Sequence, residues 1–84
     1  AVFILRMRQV HCVDATGLHA LMELHEKCRR GGTQLVLSGV NTQPRLAMTR
    51  AGLDGLIGID NICGSISHAV ARAEVLTAEL EPRR

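Results

Sequence analysis

The sequence predicts an α/β domain of βαβαβα order, with a small, mainly parallel sheet flanked by helices. Two observations carry that reading. Short apolar runs at residues 2–5, 35–37 and 61–63 are each followed by a stretch with apolar residues three and four apart. The connections are only a few residues long, so each strand–helix–strand passage makes a right-handed crossover to a parallel neighbour. At 84 residues the chain has room for one domain.

The first run, Val2-Phe3-Ile4-Leu5, is continuous and partly β-branched, which suits a strand covered on both faces. Arg6 and Arg8 alternate with Met7 where this strand leaves the core. Val13-Asp14-Ala15-Thr16-Gly17 then turns into a helix. Either Asp14 or Thr16 caps it, since each offers a side-chain oxygen to an orphan N–H of the first turn. The helix is expected over residues 16–30, with Leu18, Leu21, Met22, His25 and Cys28 as its buried stripe. On the wet face Glu23 pairs with Lys27, and Glu26 with Arg30. Lys27, Arg29 and Arg30 suit the negative end of the helix dipole, and Gly31-Gly32 stops the element.

The second strand, residues 34–37, ends in Ser38-Gly39. In Val40-Asn41-Thr42-Gln43-Pro44 the sequence opens a short helix. Thr42 is its expected cap, Pro44 sits where a missing N–H costs little, and Val40 staples onto the helix. Gly52 ends it in a left-handed conformation. A loop with Gly55 and Gly58 leads to the third strand at residues 61–63. Ser65 opens the last helix, whose stripe is Ile66, Ala69, Val70, Ala73, Leu76 and Leu80, and Pro82 stops it.

Composition removes several function classes. Hydrophobic residues at 46% and charged residues at 21% describe a globular chain. One Phe with no Tyr or Trp leaves no stacking platform, and a net charge of +2 is small for phosphate neutralisation, so no nucleic-acid partner is expected. No apolar run approaches the length of about 18 residues that a membrane span needs, so this segment does not itself insert. Cys12, Cys28 and Cys63 are odd in number and form no Cys-x-x-Cys, which reads as reduced thiols. His25 lies one turn from Cys28, and His11 adjoins Cys12, but the second His of a zinc-protease helix is missing. No metal and no cofactor is expected.

The stretch Val13-Asp14-Ala15-Thr16-Gly17-Leu18 is the most informative. In an open α/β sheet, ligands and partners meet the carboxyl ends of the strands, where helix N-termini present unpaired N–H groups. Asp14 would order this loop, and Gly17 would permit close backbone approach. A plain helix cap accounts for the same residues on physics alone. The chain has no Walker sequence, no Gly-x-Gly-x-x-Gly and no Gly-x-Ser-x-Gly, and Ser38-Gly39 has no general base placed by sequence. No catalytic residue is expected, and the chain reads as a non-enzyme.

Val13-Asp14-Ala15-Thr16-Gly17-Leu18-His19-Ala20-Leu21 resembles the signature loop and helix of the STAS domain, shared by sulfate transporters and anti-sigma-factor antagonists. The resemblance continues in order through Leu35-Val36-Leu37-Ser38-Gly39-Val40, Ala51-Gly52-Leu53, Ile57-Gly58, Asn61-Ile62 and Ser65-Ile66. A STAS domain normally opens with a further strand pair and a helix. The start at Ala1, without Met and directly inside a strand, carries the same expectation. Residues 1–84 are therefore expected to be a single partial domain. The antagonists carry a phosphorylatable Ser after the loop Asp; here the position is Ala15, so no phosphorylation is expected. Thr16 keeps a hydroxyl one position later.

The Asp-Ala-Thr-Gly-Leu-His-Ala-Leu form is more similar to the carboxyl-terminal domain of the sulfate-permease (SulP) family of anion transporters. That resemblance implies a non-enzymatic regulatory or protein-interaction domain on the cytoplasmic side of the inner (plasma) membrane. Its partners would be the transmembrane domain of the parent transporter and a cytosolic protein. Asp14, Ala15, Thr16, Gly17 and Leu18 would form the partner or nucleotide loop. The alternative reading is a free-standing antagonist-like STAS protein that binds an anti-sigma factor.

Overall fold

The computed structural model describes residues 1–80, the last of them by its backbone only. Strand β1 (Val2–Arg6) lies parallel to β2 (Gln34–Ser38), joined through helix α1 (Ala15–Arg30). In the register, Phe3 faces Leu35, Ile4 faces Val36, Leu5 faces Leu37 and Arg6 faces Ser38. The chain continues through α2 (Thr42–Arg50), α3 (Leu53–Ile57), a 3-10 turn (Ile59–Asn61) and α4 (Ile66–Leu80).

Side chains alternate across a strand, so this small sheet builds two cores. On one face Leu35 and Leu37 pack with Leu21 and Cys28 of α1, Met48 of α2, and Leu53 and Ile57 of α3. On the other, Val36 packs with Cys63 and with Ala69 and Leu76 of α4, and Val2 and Ile4 lean on the same cluster. The expected layering of helices on both faces is therefore present. The Ala1 carbonyl accepts from the Gln34 N–H at 2.9 Å, and the Met7 N–H donates to the Ser38 carbonyl at 2.8 Å. Odd-numbered residues of β1 thus turn their backbone groups toward β2, while Val2, Ile4 and Arg6 turn theirs to the outer edge. Among the described residues no strand occupies that edge.

The third strand contracts to a single parallel bridge between Ile62 and Leu37. The Cys63 N–H reaches the Leu37 carbonyl at 2.8 Å, and the Val40 N–H reaches the Cys63 carbonyl at 3.2 Å. Asn61 cannot extend the ladder, because it closes the 3-10 turn and its side-chain amide donates to the Ile57 carbonyl at 2.7 Å. The expected loop around Gly55 is instead α3, formed because Leu53 and Ile57, four residues apart, are both buried.

Several local expectations shift with the packing. Met22 is exposed and Leu24 joins the core in its place, since Met22 stands about 100° round the helix from Leu21. In α4 the buried stripe is Ala69 and Leu76 with Arg72 and Ala73 half-buried, whereas Ile66 and Val70 face solvent. Pro82 and the Leu80 side chain lie outside the described residues. The Ser65 hydroxyl does cap α4, accepting from the His68 N–H at 3.2 Å. Asn41 rather than Thr42 is the N-cap residue of α2, and its amide is spent elsewhere. Gly32 and Gly52 both adopt the left-handed backbone that ends their helices.

On the wet face of α1, Glu23 meets His19 at 2.8 Å rather than Lys27. Glu26 meets Arg29 at 2.7 Å and Arg30 at 3.2 Å. The Arg29 guanidinium, donating to the carboxylate, holds Glu26 down at about 2. Burial pushes the Cys63 thiol up.

Candidate functional site

Asp14 adopts an extended backbone at the start of α1, and its Oδ1 accepts from the Gly17 N–H at 2.9 Å. The cap is therefore Asp14. Thr16 is an exposed residue of the first turn and does not cap, because the helix already begins at Ala15 and the Leu18 N–H bonds to the Asp14 carbonyl. Gly17 packs closely on the loop: a Cβ there would stand 3.0 Å from Val13 Cγ1, so a larger residue would displace that side chain. The structure divides the five candidate residues. Asp14, Ala15 and Thr16 face solvent, while Gly17 and Leu18 are half-buried, Leu18 against the first core.

Two amide side chains at the start of α2 hold this loop from the neighbouring crossover. Gln43 Oε1 accepts from the Val13 N–H at 2.8 Å, and its Nε2 donates to the Val13 carbonyl at 3.4 Å. Asn41 Nδ2 donates to the carbonyls of Arg8 at 3.1 Å and Val10 at 2.8 Å. The passage from β1 to α1 is thus pinned at Arg8, Val10 and Val13, and the exposed residues follow directly. These partners were missed from sequence, although two amides flanking Thr42, next to a parallel crossover, offer a signal for them.

Beside the loop lies an apolar groove of about 470 Å³, lined by Leu5, Val10, Cys12, Val13, Ala20 and Leu24 among others. It runs between the end of β1, the loop that follows and one flank of α1. Cys12 is exposed here, whereas Cys28 is buried. Among the described residues, no three His, Cys, Asp or Glu side chains gather as a metal cluster. No described helix is long and apolar enough to cross a membrane.

The cap and the exposed threonine separate experimentally. Asp14→Ala is expected to lower unfolding free energy by about 1 kcal/mol. Thr16→Ala should stay within about 0.5 kcal/mol of the parent, as for a surface position without a special contact. Urea denaturation of the two variants checks both.

The sequence and the fold both find relatives. Residues 1–71 match the STAS domain family model. The probable sulfate transporter 4.2 of Arabidopsis thaliana is 38% identical over 55 residues, which is 66% of this chain and 8% of that protein. A crystal structure of a sulfate transporter family protein from Wolinella succinogenes superposes with a TM-score of 0.87 at 44% identity, covering 92% of this chain and 63% of that one. The chain therefore spans a small part of the plant transporter and about two thirds of the bacterial chain. With the loop, the two-faced parallel core and these matches in agreement, the chain belongs to the STAS domain family.

Proposed function

We propose that this chain is a non-enzymatic regulatory domain of a SulP-type sulfate or related anion transporter. It works from the cytoplasmic side of the membrane, with the Asp14-Ala15-Thr16 surface meeting a cytosolic protein or the transporter's own transmembrane domain. The observation that carries this reading is the pinned loop. Asn41 and Gln43 fix its backbone, so three exposed side chains are presented in one arrangement beside an apolar groove. Ordering entropy that is already spent in the free domain is not charged again on binding. The two relatives described as sulfate transporters support the transporter setting. Ala15 has no hydroxyl to receive phosphate, which speaks against control by an anti-sigma kinase at that position.

We also propose that residues 1–84 belong to a larger STAS domain. The outer edge of β1, unpaired among the described residues, and the 45% exposure of Phe3 support it, because open apolar edges are normally covered.

The test is anion uptake by the full-length transporter that carries this segment. Thr16→Arg places a bulky charge on the loop surface without touching the core, and uptake should fall several-fold at equal membrane abundance. A second variant, Lys27→Glu on the far end of α1, should leave uptake unchanged. Normal uptake by Thr16→Arg would remove the loop from the regulatory surface.

A further inference from the structure

The carboxyl ends of β1 and β2 and the start of α4 enclose a cleft of about 250 Å³, which shares Arg6 with the apolar groove. Its lining includes Arg6, Arg8, Ser38, Gly39, Gly64 and Ser65, and no acidic residue contributes to it among the described residues. Arg6 stands opposite Ser38 in the register, and strand alternation puts both on the α4 face with Ile4 and Val36. Arg6 and Arg8 are exposed cations that form no ion pair among the described residues.

Ser38 is the second observation. It is only 2% exposed, yet its hydroxyl has no protein partner among the described residues. No fully sealed side-chain polar atom is left unpaired in the described structure, so this oxygen opens into the cleft that it lines. From there the hydroxyl can donate to, or accept from, a molecule held in the cleft.

The helix end completes the cradle. The Ser65 hydroxyl caps the His68 N–H and the Ser65 carbonyl takes the Ala69 N–H, which leaves the Ile66 and Ser67 N–H groups free at the positive end of a 15-residue helix. Gly39 has φ +64, and a Cβ there would stand 2.9 Å from Arg8 Cβ, so glycine lets the Arg8 backbone close against this end of the sheet. Gly64 has nothing within 4 Å of a would-be Cβ, which keeps the mouth open.

From this arrangement we propose that the Arg6–Arg8–Ser38 cleft at the amino end of α4 binds a tetrahedral oxyanion, a sulfate or phosphate group. The two guanidinium groups supply charge and paired N–H donors, and the Ser38 hydroxyl and α4 N–H groups supply the remaining hydrogen bonds. Arg6 also lines the groove beside the Asp14 loop, but no other residue of the cleft does.

The full chain is titrated with sodium sulfate and with inorganic phosphate at constant ionic strength, followed by backbone amide NMR. Saturable shifts are expected at Arg6, Ser38, Ile66 and Ser67, with chloride producing none. Arg6→Gln and Arg8→Gln should each weaken binding about tenfold, the loss expected for a charge-assisted hydrogen bond. Both residues are exposed, so these variants keep the test open should Ser38→Ala fail to fold. Arg50→Gln, a cation outside the cleft, should change nothing. A second arm uses phosphatidylcholine vesicles with and without phosphatidic acid: co-sedimentation lost in Arg6→Gln would assign the phosphate to a lipid headgroup, and its absence beside inorganic-anion binding would assign it to a free anion. Linear, non-saturating shifts with both anions and no vesicle binding would overturn the proposal. So would equal weakening by Arg50→Gln.

Discussion

Leu37→Ala is expected to lower the unfolding free energy by about 3–5 kcal/mol, the upper range for a truncated core leucine. Leu37 is completely buried and lies at the meeting point of the structure. Its side chain belongs to the core formed with α1, α2 and α3, next to Leu5 of β1 in the register. Its carbonyl receives the Cys63 N–H, and it is the partner of Ile62 in the bridge that replaces a third strand. Helices close over it on one side and a second core lies behind it, so the surroundings cannot collapse into the cavity.

At about 0.05–0.15 kcal/mol per residue, a domain of this size has a total stability of roughly 4–13 kcal/mol. The substitution therefore removes a large share of it, and partial unfolding at room temperature is the expected phenotype. Phe3→Ala is the contrast, because Phe3 is nearly half exposed and should cost well under half as much. Urea denaturation with unchanged slope measures both. A Leu37→Ala loss below about 1 kcal/mol would contradict the central position given to β2.

The position of β2 was legible in the sequence because Leu35-Val36-Leu37 is apolar on both faces, the mark of a strand covered twice. Helix α1 was legible for a different reason: its cap, its 3.6-residue period and its terminal glycines all agree. What failed were the readings that depend on distant partners. The run Asn61-Ile62-Cys63 has strand composition, but the Asn61 side chain commits to Ile57 and Arg72, which bends the chain after one bridge. Met22 and Val70 fit an apolar helical pattern and still face solvent, since a two-stranded sheet is too narrow to cover a wide stripe.

The candidate site divides in the same way. The Asp14 cap spans three residues and was readable from local chemistry. The clamp on the loop joins residues thirty apart, Val13 with Gln43, and follows only once the parallel crossover sets two loops side by side. The pairing of Arg6 with Ser38 likewise needs the strand register, which no local pattern in the sequence fixes.

Asn61→Ala is expected to cost about 2–3 kcal/mol, the second-largest effect of a single substitution considered for this chain. Asn61 is buried and bonds in two directions. Its Nδ2 donates to the Ile57 carbonyl at 2.7 Å, and its Oδ1 accepts from Arg72 Nε at 2.8 Å. The first bond secures the end of α3 and the second ties the 3-10 turn to α4, so one side chain fastens helices on opposite faces of the sheet. Alanine would leave the Ile57 carbonyl without this donor and Arg72 without its acceptor.

Gly58 shows how tightly the turn is built: its φ is +98, and a Cβ there would meet Asn61 Nδ2 at 3.0 Å. Arg72→Ala should cost less than Asn61→Ala, because the half-buried guanidinium is lost together with its own need for a partner. The double variant should then fall short of the sum by roughly 1 kcal/mol or more, the coupling expected of a direct hydrogen bond to a charged group. Chemical denaturation of the three variants gives that difference. Simple additivity would mean that Asn61 and Arg72 act independently and that α4 is held to the turn by apolar packing alone.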